Sequence, residues 1–124
     1  MKSLKKRIMV IDDEPSLTRL VRLNLEDTGE YEVREENCPD HALAAAREFR
    51  PDLILLDVLM PGLDGGQLAS QFKASPYFAK VPIIFLTAAV TQEEVTSHGG
   101  LVGGEHFLAK PVDIPELVEC LHKS

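Results

Sequence analysis

The chain has 124 residues, enough for one compact domain with one shared core, and its 44% hydrophobic and 27% charged residues are those of an ordinary globular protein. Thirteen Lys and Arg against twenty Asp and Glu leave a net charge of −7, which repels a phosphate backbone and argues against direct nucleic-acid binding. No run approaches the ~20 apolar residues that span a bilayer, no signal-peptide core follows the basic start, and Cys38 and Cys120 are too few for a disulfide framework or a zinc site. The expectation is a cytoplasmic protein without a membrane association.

In chain order, Lys2, Lys5, Lys6 and Arg7 read as a solvated lead-in to a first strand, Ile8-Met9-Val10-Ile11. A first helix comes next, with Pro15 in its first turn, Leu17, Leu20 and Val21 at helical spacing, and Gly29 as its stop. Tyr31-Glu32-Val33-Arg34 alternates polar and apolar residues, as a half-exposed edge strand does. Asp40 is placed to cap a second helix built from Ala42 to Phe49 and ended by Pro51. Leu53-Ile54-Leu55-Leu56 is a third strand. A third helix is expected from about Asp64 to Lys73, burying Leu68, Ala69 and Phe72, with Gly65 and Gly66 weakening its start.

The fourth strand is Val81 to Leu86. Thr91 to His98 allows about two helical turns before Gly99-Gly100 and Gly103-Gly104, so a short fourth helix and a mobile loop are expected. Phe107-Leu108-Ala109 is the fifth strand. The last helix starts at Asp113, with Glu116 three residues on as in a capping box, and carries Ile114, Leu117, Val118 and Leu121 on one face. Alternating helices and apolar strands predict a single α/β domain over residues 1–124. Its sheet is parallel, five-stranded and doubly wound in the order 2-1-3-4-5.

The informative residues stand immediately after four of the five apolar runs: Asp12-Asp13, Asp57, Thr87 and Lys110. In a parallel sheet these ends share one rim, and ligands of open α/β sheets bind there, where the strand order reverses. Three carboxylates brought together repel by about 4 kcal/mol per pair at roughly 4 Å and an effective dielectric of about 20. Lys110 offsets part of this, and a hard dication such as Mg²⁺, which takes one or two carboxylates, waters and a phosphate, offsets the rest. Phosphoryl transfer needs an aligned nucleophile and positive charge more than acid–base machinery. Asp57 is placed as that nucleophile, with the Thr87 hydroxyl set to hydrogen-bond a phosphoryl oxygen.

Each residue alone has a plainer reading. Asp13 before Glu14-Pro15 is a helix start, Asp57 a turn residue before Pro61-Gly62, Thr87 a strand-end hydroxyl, Lys110 a solvated cation, and Phe107 a core ring. None of these explains why the acids, the hydroxyl and the ammonium all come directly after apolar strands. His41, His98, His106 and His122 lack metal-ligand spacing.

Asp12-Asp13, the stretches Asp57 to Gly65 and Pro82 to Ala88, and Phe107-Leu108-Ala109-Lys110-Pro111, in this order and spacing, resemble the receiver domain of two-component response regulators. The resemblance runs from about Lys6 to His122. It implies a flavodoxin-like three-layer sandwich and a phosphoacceptor signalling domain that catalyses only its own phosphorylation and dephosphorylation. Asp57 would take a phosphoryl group from a phosphohistidine on a sensor histidine kinase or a histidine phosphotransfer protein. Asp13 would bind Mg²⁺ directly and Asp12 mostly through water, with Asp57 and the Leu59 backbone carbonyl completing the metal ligands. Lys110-Pro111 would be cis.

On phosphorylation Thr87 would move inward and the ring of Phe107 turn in behind it, reshaping the face of the fourth helix, fifth strand and fifth helix. That face would meet a downstream target or effector domain, or pair in a homodimer. The family's water-orienting residues fall here on Leu59 and Ala89, which cannot hydrogen-bond water, so self-dephosphorylation should be slow. Gly66, where an apolar residue is usual, and the stretch Gly99 to Gly104 depart from the pattern and bear on the output face. Two rivals remain: an aspartyl phosphohydrolase, which would want an acid at the position of Leu59, and a degenerate receiver that is a constitutive scaffold.

Overall fold

The computed structural model describes residues 5–57, 59–60, 63–87, 101–102 and 105–122. Five parallel strands, β1 (Lys6–Ile11), β2 (Tyr31–Glu36), β3 (Leu53–Asp57), β6 (Ile83–Thr87) and β8 (Glu105–Ala109), lie in the order β2-β1-β3-β6-β8, the predicted 2-1-3-4-5. A two-residue strand, β7 (Leu101–Val102), pairs antiparallel with β8, Val102 opposite Glu105, and adds a sixth strand at that edge. Another short antiparallel pair, β4 (Leu59–Met60) and β5 (Leu63–Asp64), comes after β3. Neither short ladder was expected, because two residues carry no periodicity.

Alternation along the inner strands divides the core into two layers. Met9, Ile11, Ile54, Leu56, Ile83 and Phe85 point to one face, where α2 (Ala42–Phe49) packs through Ala42, Ala45 and Ala46, and α3 (Gly65–Ala74) through Leu68, Ala69 and Phe72. Ile8, Val10, Leu53, Leu55, Ile84 and Leu86 point to the other face. They are covered by Val21 and Leu25 of α1 (Pro15–Asp27) and by Leu117 and Leu121 of α4 (Ile114–His122). With both faces covered, β1 and β3 bury every residue from Ile8 to Ile11 and from Leu53 to Asp57. β2 at the edge buries only Tyr31 and Val33. Each of these aliphatic side chains contributes about 1.5–3 kcal/mol by leaving water.

The helix ends reflect local chemistry. Pro15 opens α1, and Gly29 at φ 79° turns the chain back toward β2. The Asp113 carboxylate accepts the Glu116 N–H at 3.3 Å, as the capping reading requires. Three expectations change. Asp40 does not cap α2: Pro39 starts a 3₁₀ turn over Pro39–His41, and α2 continues from His41 with no side-chain cap. Leu20 is 45% exposed, and Thr18, Val21 and Leu25 form the buried stripe of α1 instead. Val81 and Pro82 precede the fourth parallel strand instead of opening it. The expected fourth helix, Thr91 to His98, and the glycine pairs Gly99-Gly100 and Gly103-Gly104 of the expected mobile loop fall outside the described residues, while Leu101–Val102 between those pairs form β7. Lys110-Pro111 is cis. No helix among the described residues is long and apolar enough to cross a membrane.

Candidate functional site

Parallel strands bring their carboxyl ends to one rim, and the order reverses between β1 and β3. Asp12 and Asp13 leave β1 there, and Asp57 is the last residue of β3. One carboxylate oxygen from each of the three lies within 4.8 Å of the others; Asp12 and Asp57 are buried, Asp13 is exposed. From the far side of the rim Lys110, one residue past β8, places its ammonium 2.8 Å from Asp12 Oδ2 and 3.4 Å from Asp57 Oδ2. Glu14 Oε1 stands 3.8 Å from the same nitrogen.

Asp12 also shapes the chain. Its Oδ1 accepts the Glu14 N–H at 3.0 Å, turning β1 toward α1, while its own N–H donates to the Glu36 carbonyl at 3.1 Å. Oδ2 is shut off from water and faces the Lys110 ammonium at 2.8 Å. Burial raises the Asp12 pKa above the ordinary carboxylate value, against the lowering pull of Lys110. For Lys110, burial alone would lower the pKa, but the Asp12 and Asp57 carboxylates outweigh it and the net shift is upward, so the ammonium stays charged.

The charge does not close. Among the described residues Asp12, Asp13 and Asp57, with Glu14 at the edge, outnumber the one ammonium of Lys110, so negative charge is in excess around a buried carboxylate. A cluster made only of hard oxygen donors, with one acid open to solvent, fits a hard dication that keeps some of its waters. Zinc and copper prefer nitrogen and sulfur donors, which this set lacks.

Of the residues singled out in the sequence, Asp12, Asp13, Asp57 and Lys110 therefore come together. The backbone of Thr87 ends β6 opposite Ala109, one residue beyond the Asp57–Leu86 pair, which places it on the same rim; its side chain lies outside the described residues. Leu59 is two residues past Asp57, in β4. Ala89 lies outside the described residues. Phe107 lies in β8 opposite Phe85: its ring is half-buried and stacks on Phe85 at 5.2 Å, against the α2–α3 layer of the core.

A polar support under Asp12 was missed in the sequence. Asn37, the residue after β2, donates one amide hydrogen to the Asp12 carbonyl at 2.8 Å and the other to Thr18 Oγ1 at 2.9 Å. Thr18 is fully buried and donates in turn toward Glu35 Oε1 at 2.9 Å or the Pro15 carbonyl at 3.1 Å. Glu35 is held by Arg22. The available signals were a threonine in register with Val21 and Leu25 on the buried stripe of α1, and an asparagine just past the edge strand.

Comparison with known proteins agrees with this geometry. A family model described as the response regulator receiver domain matches residues 8–122. The chain is 35% identical over 118 residues to the DNA-binding response regulator MtrA of Mycolicibacterium smegmatis, a match covering 95% of this chain and 50% of MtrA. It is 33% identical to Protein PilH of Pseudomonas aeruginosa over 94% of each. The chain spans about half the length of the first curated relatives it matches, including the regulator RpaA of Synechocystis, of which it covers 46%. Among solved structures, the chemotaxis protein CheY4 of Vibrio cholerae superposes with a TM-score of 0.80 at 29% identity, covering 96% of this chain and 98% of that one.

Proposed function

Since the chain belongs to the response regulator receiver family, we propose that it accepts a phosphoryl group from a phosphohistidine donor onto Asp57 and thereby switches protein–protein contacts in a phosphorelay. Receiver domains are signalling domains that work with histidine kinases and effectors and bind Mg²⁺ at an acidic cluster. The observation that carries the reading is the shared rim: a buried Asp57 carboxylate at a strand end, beside two more acids and 3.4 Å from an ammonium.

In the proposed reaction an Asp57 oxygen attacks phosphorus in line with the leaving imidazole. The P–N bond of the donor breaks, a P–O bond to Asp57 forms, and the imidazole departs with its electron pair and takes up a proton. Asp12, Asp13, Asp57 and the Leu59 carbonyl would hold Mg²⁺, which supplies positive charge to the phosphoryl oxygens. Lys110, whose ammonium already spans Asp12 and Asp57, would shift toward the transferred group and balance its charge. Asn37 and Thr18 keep the end of β1, and with it Asp12, in place. The Thr87 hydroxyl would bind a phosphoryl oxygen from the end of β6. Phe107, half-buried against Phe85, would turn inward behind it and change the outer face of β8 and α4.

Cognate kinase, target and any homodimer through that face belong to this proposal. So does action by protein contact alone, without direct binding of nucleic acid or membrane, in a cytoplasmic chain that folds as one domain. The test is acetyl-phosphate labelling of the chain: Mg²⁺-dependent label on wild type and none on Asp57→Asn supports the reading. Unchanged labelling of Asp57→Asn overturns it, and multiple turnover on an external phosphomonoester would favour the phosphohydrolase. With Leu59 and Ala89 unable to orient water, the label should persist for much longer than seconds without a phosphatase.

A further inference from the structure

At the rim opposite the acid cluster, a cavity of about 600 Å³ opens between the end of α2 and the turn after α3, lined by Arg47, Arg50, Tyr77 and Phe78. The distance along β3 alone separates this rim from Asp57 by about 13 Å at ~3.3 Å per residue. Phe78 is its floor, 4% exposed and packed edge-on against Phe72 at 5.4 Å. Tyr77 stands above it 73% exposed, with the Arg47 guanidinium 5.8 Å over its ring, so one wall comes from α2 and the other from the turn.

Two features separate this groove from ordinary surface. A tyrosine exposed to this degree beside an apolar floor leaves aromatic area in water, and such area with arginines next to it is the composition of protein-binding hot spots. The second feature is charge. Arg7, Arg22, Arg34 and Lys110 all have carboxylate partners. Among the described residues Arg19, Lys80, Arg47 and Arg50 have none, but only Arg47 and Arg50 converge on one apolar hollow, on a chain of net charge −7. An acidic protein that leaves two guanidinium forks unpaired around an apolar hollow has charge there for a carboxylate that it does not itself supply.

We propose that the groove between α2 and the turn after α3 docks an acidic segment of a partner protein, an apolar side chain entering over Phe78 while carboxylates pair with Arg47 and Arg50. The apolar anchor is required because exposed ion pairs alone contribute little. Its position on the far rim keeps this contact clear of the acceptor site, about 13 Å or more from Asp57.

The test titrates the full chain, followed by amide and guanidinium NMR, with a peptide of glutamates around one central phenylalanine. Saturable shifts centred on Arg47, Arg50, Tyr77 and Phe78 are expected. Kd should rise at least tenfold in the double variant Arg47→Glu, Arg50→Glu and severalfold in Tyr77→Ala, both checked for fold by circular dichroism. Asp57→Asn should leave Kd unchanged, which separates failure here from failure of the phosphoacceptor reading. Absence of these shifts, equal binding by the double variant, or equal binding of a lysine-for-glutamate peptide would overturn the proposal. So would displacement of the peptide by adenosine monophosphate, which would make the groove a small-anion pocket, or the same shifts arising from chain concentration alone, which would make the occupant a second copy.

Discussion

At one corner of the amino-terminal rim, around Arg7 and away from the Arg47–Arg50 groove, the charges close on one another. The Arg7 N–H donates to Asp52 Oδ2 at 2.8 Å and its guanidinium to the Phe49 carbonyl at 2.9 Å, with Glu32 at 3.9 Å, while the Asp52 N–H returns a bond to the Arg7 carbonyl at 2.7 Å. At the carboxyl-terminal rim Asp12, Asp13 and Asp57 crowd within 4.8 Å of one another, with the Lys110 ammonium against Asp12 and Asp57. The same strands end in both places. One end uses polar groups to fasten α2 to β1 and β3; the other holds two buried carboxylates side by side, with a third beside them in solvent. Local consistency marks a structural region, and local conflict marks one kept for a ligand.

The largest effect expected from breaking this contrast is on chemistry. Asp57→Asn should abolish acetyl-phosphate labelling, and Lys110→Ala should slow it by about a hundredfold, the usual cost of removing one charge-stabilising donor, with the fold kept in both. Labelling time courses check this. In the layers between the rims, Leu55→Ala should destabilise by about 2–5 kcal/mol in urea melts, since Leu55 is fully buried.

The sharpest version of the contrast is a difference in sign. Asp13→Asn should stabilise the metal-free chain by roughly 1 kcal/mol, because an exposed like charge is removed at about 4 Å in a water-like dielectric. Asp52→Ala at the other rim should destabilise by about 1 kcal/mol through the lost hydrogen bond. Millimolar Mg²⁺ should erase or reverse the gain of Asp13→Asn, because the wild type then gains binding free energy that the variant has lost. Paired urea melts with and without Mg²⁺ decide it.

The smallest effect concerns Tyr31 at the start of β2, whose phenol is pushed above its usual pKa first by burial and then by Glu30. The folded state holds that proton longer, so its contribution to stability is complete below about pH 10 and falls as pH rises through the shifted value. Tyr31→Phe should flatten that alkaline decline in melts taken against pH.

The sequence made the sheet readable because strands covered on both faces are written as continuous apolar runs, and the change to Asp or Lys at their ends marks the rim. Asp12, Asp57 and Lys110 were legible for that reason. Thr18 and Asn37 were not, since a buried polar residue declares itself only through its partners, and those come from α1, β2 and the end of β1 at once. Asp40 misled because Pro39 opens a 3₁₀ turn in which aspartate is no longer the boundary residue. Leu20 misled because helical spacing alone does not choose between two adjacent faces, and the sheet selected the one bearing Val21 and Leu25.

The account rests on the acid cluster and the acceptor carboxylate acting as one site. Fluorine NMR of the chain with beryllofluoride reads this directly, since the mimic binds where an acceptor carboxylate and a dication stand together. A bound resonance that requires Mg²⁺ and disappears in Asp57→Asn and Asp13→Asn is the predicted result. A bound signal that persists in Asp57→Asn, or none on the wild type at saturating Mg²⁺, would contradict it.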